Sequence, residues 1–431
     1  MTSSIPHARS WRRFCALLAA LVTLAGCAGE STASSQSQRR IGEARLQEGL
    51  SVSVTYGAVR ASSADELVVR QASPTMRMSI ESGADVTEVV DVELRNVHRD
   101  AELRVDAASF LDADASDGCP IGMTIEVDCV AAATAVGEAC ESSGQCPSGL
   151  RCAMESCQPS DLFAACTAPA MRRLEGQPTS IAFPIDVEPC RRIQLRTVLP
   201  EAAADEPLRF GVVGPSRDDA IIASLGDEFR DLDLDFVILL GDNAPSGDID
   251  GLNSLERTLI RLGTPAVVLG GPRELAPEDG DAFLRRFGPH DHTWAIGGAR
   301  FFSFYSAAGT LGPRGFDRLQ TFLVQLNDGV DVTAPRSPLI GVTHRPPIDP
   351  NALRDAGFRN DVQAARVMSL LQEQGVHQLF AGALAAAEET FLSTHVVVTT
   401  ARGTHVQSQR EWLYVEVLEE DEIVIERRQI P

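Results

Sequence analysis

The sequence predicts an α/β fold in which a layered β-sandwich flanked by helices follows a smaller β-sandwich that carries a disulfide-rich insert. Three patterns predict it. From Pro207 onward, apolar runs of strand length alternate with amphipathic stretches of helix length. Between residues 50 and 110, and again from 179 to 199, β-branched residues recur in near alternation. Eight cysteines crowd between Cys119 and Cys190, and none follow. With 431 residues, the chain has material for two or three domains.

The first element is a targeting segment, residues 1–26. Arg9, Arg12 and Arg13 form a positive start, and Cys15 to Gly26 is an apolar stretch too short to span a bilayer. It ends in Leu24-Ala25-Gly26-Cys27, which resembles the lipobox of bacterial lipoproteins. That resemblance implies lipid on the Cys27 thiol and a new N-terminus there. With Ala28 next, it implies the outer membrane. Acyl chains bury about 0.8 kcal/mol per CH₂, so several of them anchor a chain that has no spanning helix. Plain secretion with Cys27 unmodified is the rival reading. Residues 27–40, rich in Ser, Thr, Gln and Gly, read as a flexible tether.

Residues 41–206 read as the smaller β-sandwich. Strands are expected over Val52 to Val59 and Val86 to Val105, the latter interrupted by turn chemistry at Asn96 to Asp100. Thr179 to Pro184 and Arg192 to Leu199 continue the pattern after an insert at about 118–166. Cys119, Cys129, Cys140, Cys146, Cys152, Cys157, Cys166 and Cys190 form an even set in an exported segment, which reads as disulfides of unassigned connectivity. The stretch from Gly137-Glu-Ala-Cys140 to Cys157-Gln-Pro resembles small Dickkopf-like cysteine-rich repeats. Zinc is the rival ligand, although no CxxC pair exists. Asp112, Asp114 and Asp117 before Gly118 depart from a calcium loop, since Met123 stands where the closing Glu belongs.

In residues 207–431, strands are expected over Arg209–Gly214, Phe236–Gly241, Pro265–Gly270, Pro338–His344 and Gln378–Gly382. Helices are expected over Asp218–Arg230, Leu252–Leu262, Gly315–Leu326 and Asp361–Gln374, with hairpins at Trp294–Tyr305 and Trp412–Arg427. Ligands of such layered folds bind in loops at the C-terminal ends of the strands. Five strings occupy those loops: Gly214-Pro215-Ser216-Arg217, Gly241-Asp242-Asn243, Gly271-Pro272-Arg273-Glu274, Thr343-His344-Arg345-Pro346 and Gly382-Ala383-Leu384-Ala385.

Order, spacing and strand context make these strings resemble the five blocks of calcineurin-like metallophosphoesterases, and among them the purple acid phosphatases. The stretch Phe287-Gly-Pro, Trp294 and Phe301-Phe-Ser-Phe resembles the segment between that family's third and fourth blocks. The resemblance implies a layered phosphoesterase domain with two metals about 3.5–4 Å apart that activate water and clamp phosphoryl oxygens. It also exposes the departures. Pro215 and Arg217 replace the first Asp and its His, and Pro272 and Arg273 replace the Asn and His of the third block. Ala383 and Ala385 replace the last two histidines, and Ala244-Pro245 stands where a metal-binding Tyr follows in some relatives. Asp242, the bridging carboxylate by resemblance, and His344 remain.

Two ligands cannot hold a dinuclear centre, and arginine brings a permanent cation to a metal's place. Arg217 or Arg273 is placed to pair with Asp242. The expectation is a non-catalytic module with no cofactor, whose Arg217, Arg273 and Arg345 meet an anionic ligand or a partner protein's acidic group. The alternative is a phosphoesterase with a rebuilt, possibly single-metal site for Fe, Mn or Zn, in which His290-Asp291-His292 supplies new ligand types and His344 joins them. The plainer roles are loop bonding for Asp242 and a hydrogen-bonded histidine for His344. The net charge of −22 excludes a nucleic-acid footprint. The chain has no lysine, which removes P-loop, Schiff-base and kinase chemistry. No HExxH or Gly-x-Ser-x-Gly string is present, and nothing marks a base beside Ser216.

Overall fold

The computed structural model describes residues 42–47, 49–61, 66–83, 88–110, 126–140, 142–148, 150–154, 156–159, 166–199, 207–275, 280–312, 314–328, 337–349, 357–382, 389–391, 397–400, 411–418 and 422–430. All fall in one compact unit, Gln38–Pro431. The targeting segment, Cys27, the tether, the Asp112–Asp117 loop, Cys119, Ala383 and Ala385 lie outside the described residues. Among the described residues, no helix is long and apolar enough to cross a membrane.

The N-terminal half is two sheets around one core. The six-stranded sheet runs, edge to edge, Glu43–Gln47, Leu50–Thr55, Arg77–Ser82, Arg191–Val198, Glu102–Phe110 and Glu126–Asp128. The five-stranded sheet runs Arg172–Leu174, Gln177–Val187, Glu88–Arg95, Glu66–Gln71 and Gly57–Ala61. Alternation decides which face is buried: Leu50, Val52 and Val54 point inward while Ser51, Ser53 and Thr55 face solvent. Met78, Ile80, Val92, Leu94, Phe183, Ile185 and Leu195 complete the core.

The insert docks on the same core through Cys129, Cys140, Cys157 and Leu150. Its described cysteines are in disulfides and not free to ligate metal: Cys129–Cys166, Cys140–Cys152 and Cys146–Cys157. Cys190, at the turn between two strands, is disulfide-bonded too. A segment this poor in apolar residues needs crosslinks to hold its shape.

The C-terminal half stacks four layers. Its strands are β1 (Leu208–Val213), β2 (Phe236–Leu239), β3 (Ala266–Val268), β4 (His292–Ile296), β5 (Ala299–Phe304), β6 (Leu339–Thr343), β7 (Gln378–Ala381), β8 (Glu389–Phe391), β9 (Val397–Thr400), β10 (Glu411–Val417) and β11 (Ile423–Gln429). Its helices are α1 (Asp219–Ser224), α2 (Gly226–Asp231), α3 (Ile249–Leu262), α4 (Gly280–Phe287), α5 (Gly315–Asn327) and α6 (Asp361–Glu373). One sheet has the order β3-β2-β1-β10-β11, with β1, β2 and β3 parallel and β10 antiparallel to β1. The other has the order β4-β5-β6-β7-β9-β8, parallel from β5 to β9.

Strand alternation again assigns the faces. Phe210, Val212, Phe236, Ile238, Phe301, Ile340 and Phe380 meet between the sheets. Val237, Leu239 and Trp412 face α1 to α4, while Phe302, Leu339 and Leu379 face α5 and α6. The expected helix over Asp218–Arg230 is two helices, with the break at Leu225 just before Gly226. Helix α4 and strands β8 and β9 were not expected from the sequence.

The halves share a border. Ala58 of the sandwich is buried among the side chains of α1 to α4. Asn96, left-handed at φ 68°, donates to Ala266 O at 3.0 Å and accepts from Ala266 N at 2.7 Å.

Candidate functional site

The parallel strands end together, and backbone bonds tie one end to the next. Leu240 N donates to Val213 O and Leu269 N to Leu239 O, while Gly382 N donates to His344 O at 2.9 Å. After β2 the chain turns through two left-handed residues, Gly241 at φ 88° and Asp242 at φ 54°. Glycine is required at the first. A Cβ there would lie 2.6 Å from His344 Nδ1 and 2.8 Å from Gly271 N. That close approach brings the second, third and fourth strings into contact.

Glu274 organises the loops. It is 1% exposed, and its Oε1 accepts from Asn243 N at 2.6 Å and Ala244 N at 2.8 Å. Its Oε2 accepts from Asp242 N at 2.8 Å and Gly271 N at 2.9 Å. Burial pushes the carboxyl pKa up. The loop amides oppose that rise, and the neighbouring Asp242 charge adds to it. Glu274 ends the third string, and nothing in the sequence marks it for this role. Its partners are backbone amides of two loops, which no side-chain pattern announces.

Asp242 is half-buried and accepts from Arg273 N at 2.9 Å. The expected guanidinium pair is not formed. Arg273 Nη1 donates instead to Pro245 O at 2.6 Å. Arg217 is exposed and left-handed at φ 56°, and it donates through its backbone N to Asp242 O at 2.8 Å. The physical reason is reach. Each arginine's main chain already lies against the Asp242 turn, so its side chain extends past the carboxylate. Ser216 is buried against Asn243, with its Oγ 3.0 Å from Asn243 Oδ1, and no base faces it there. Arg345 anchors its turn by donating from its backbone N to Ser306 Oγ at 2.7 Å.

His344 is buried, with Nδ1 2.7 Å from Leu240 O. A carbonyl only accepts, so Nδ1 carries the proton and Nε2 keeps the lone pair. Burial draws the ring's pKa down. The bond to the Leu240 carbonyl and the Asp242 charge pull the other way.

His290, Asp291 and His292 do not join this site. His290 lies over Gly270, where a Cβ would come 2.6 Å from its Cε1, and stacks on Phe283 with centroids 4.9 Å apart. Asp291 accepts from Tyr305 N at 2.6 Å and pairs with Arg318 at 3.0 Å. His292 sits 2.8 Å from Ser303 Oγ and stacks on Trp294 at 5.1 Å. Burial pulls the two imidazoles down to about 3 and about 4 respectively. His290 and Asp291 lead into β4, which His292 begins, and all three side chains are buried.

Among the described residues, the one group of three potential ligand atoms within reach of a single ion is Cys140, Cys146 and Cys157, all in disulfides. The described strand-end residues therefore do not fit a dinuclear metal centre. Proline and alanine offer no ligand atom, and one oxygen of Asp242 is taken by an amide.

No family model matches the chain, and no curated protein matches it. Solved structures similar to it include a dimetal phosphatase from Danio rerio, at 12% identity and TM-score 0.42, covering 52% of this chain and 99% of that one. They also include GAP50, the anchor in the inner membrane complex of Plasmodium, at 14% identity and TM-score 0.39, covering 52% and 84%. A third is PhoD, at 10% identity and TM-score 0.36, covering 83% and 90%. In the described part of 207–431 two sheets pack face to face between helical layers, the layered α/β arrangement that the resemblance to calcineurin-like metallophosphoesterases implies.

Proposed function

We propose that this chain is an exported, lipid-anchored binding module in which a metallophosphoesterase-like domain holds a partner instead of hydrolysing a phosphate ester. One observation carries the reading: Pro215, Arg217, Pro272 and Arg273 stand at the strand ends where carboxylate and imidazole ligands are needed. The closure of these loops on Glu274 supports it, because the amides that would face a ligand are already satisfied. The partner's recognised feature is an anionic group, met by exposed Arg217 beside Arg273 and Arg345. Anchoring rests on Cys27, and Cys27→Ser is expected to move the chain out of the membrane fraction.

The test is elemental analysis of the chain purified without chelator or metal-binding tag, followed by assay against phosphate esters. Less than a tenth of an equivalent of Fe, Mn or Zn, with no hydrolysis after metal is added back, is the expected result. A second reading keeps one metal on Asp242 and His344. The Nδ1–H bond to Leu240 O favours it, because it leaves Nε2 with the lone pair that a ligating histidine uses. About one tightly held equivalent, lost with its activity in His344→Ala, would establish that reading and overturn the first.

A further inference from the structure

Four guanidinium groups crowd one carboxylate where the halves meet. Glu256 on α3 is almost fully buried and takes Arg60 Nη1 on both oxygens at 2.9 Å. It also takes Arg95 Nη1 at 3.1 Å and lies 3.4 Å from Arg286 Nε. Arg95 reaches a further carboxylate, Glu93, at 2.6 Å. Arg70 is 2% exposed, its guanidinium lies 5.2 Å from the Phe287 ring centroid, and its Nε and Nη2 have no hydrogen-bond acceptor among the described residues.

Positive charge is in excess here, with Arg60, Arg70, Arg95 and Arg286 against Glu256 and Glu93. Burial draws Arg70 down to about 10, which still leaves it charged at neutral pH. A buried guanidinium without an acceptor is an expensive arrangement unless something completes it. The cluster opens to solvent along one edge, where the Arg60 side chain is 37% exposed and that of Arg95 20%.

We propose that this cluster binds a small oxyanion of the size and charge of inorganic phosphate, held by the unsatisfied N–H groups of Arg70 together with Arg60 and Arg95. The planar guanidinium fork suits tetrahedral oxyanions. Arg60, Arg70 and Arg95 come from the sandwich, while Glu256 on α3 and Arg286 on α4 come from the C-terminal half, so the anion sits at the border of the two halves. Nothing in this site depends on Asp242 or His344, and it stands whether or not the strand ends hold metal.

The experiment follows the melting temperature of the full-length chain as inorganic phosphate replaces chloride at fixed ionic strength. The expected result is a saturable rise, absent in Arg70→Met, with a midpoint about tenfold weaker in Arg60→Gln, the equivalent of one charge-assisted contact. No rise, the same rise with chloride alone, or a phosphate response that persists in Arg70→Met overturns the proposal. Should Arg70→Met not fold, Arg60→Gln decides it, and an unchanged midpoint there is fatal. A response kept in Arg70→Met but lost in Arg273→Gln places the anion at the strand ends and also overturns it.

Discussion

His292 begins β4 with its ring wholly inside the protein, between Ser303 and Trp294. Burial holds its pKa at about 4 in the fold, against about 6.5 when the chain is open. Below 6.5 the unfolded chain takes up a proton that the folded one refuses. The stability is therefore complete above pH 6.5 and is lost as pH falls toward 4. For this one ring the loss is on the order of 2–3 kcal/mol. In denaturant titrations from pH 7 to pH 4, the stability advantage of the wild type over His292→Gln is expected to shrink steadily; a constant gap means that the ring is not held neutral. The sequence showed His290-Asp291-His292 as three potential ligands in a row but not which way they face. Asp242 and His344 were legible as strand-end residues, because an apolar run ends at each place, before Gly241 in one and before Pro346-Pro347 in the other. Glu274, Glu256 and Asn96 were not, because what defines them is partners up to 196 positions away.

The loops after β2 and β3 form one element, closed by four amide bonds to a single side chain. Glu274→Ala orphans all four donors inside the protein. At about 1–3 kcal/mol for each unsatisfied buried group, with partial relaxation, the expected cost is about 3 kcal/mol or more. Glu274→Gln, whose amide keeps one acceptor oxygen, is expected to fall between that variant and the wild type in urea unfolding. Equal stability of Glu274→Ala and wild type would show that the loops hold without the clamp. At this scale the sequence was informative. The strands over β1, β2, β3, β6 and β7 begin and end within two residues of the ranges read from it, because fully buried parallel strands are plain apolar runs. Helix α4 escaped because it is short and carries Arg285-Arg286, and β9 because its valines follow no glycine or proline.

The whole molecule is joined by polar contacts that a sequence cannot pair: Asn96 with Ala266, and Glu256 with Arg60 and Arg95. Removing the sandwich leaves Glu256 buried beside Arg286 alone and uncovers the face that meets Ala58. The isolated 207–431 segment is expected to melt about 10 °C or more below the intact chain, and the intact chain to unfold in one calorimetric transition. Equal melting points would mean that the halves are thermodynamically independent. The crosslinked insert has a mechanical corollary. The Cys129–Cys166 bridge closes over 37 residues, with two further bridges inside it. At about 3.4 Å of contour per extended residue, roughly 120 Å of chain stays locked when the ends are pulled apart. Tension on the molecule would therefore be carried past the insert rather than through it. A single-molecule extension trace would fall short by at least that length until a reductant released it, since Cys190 is crosslinked too.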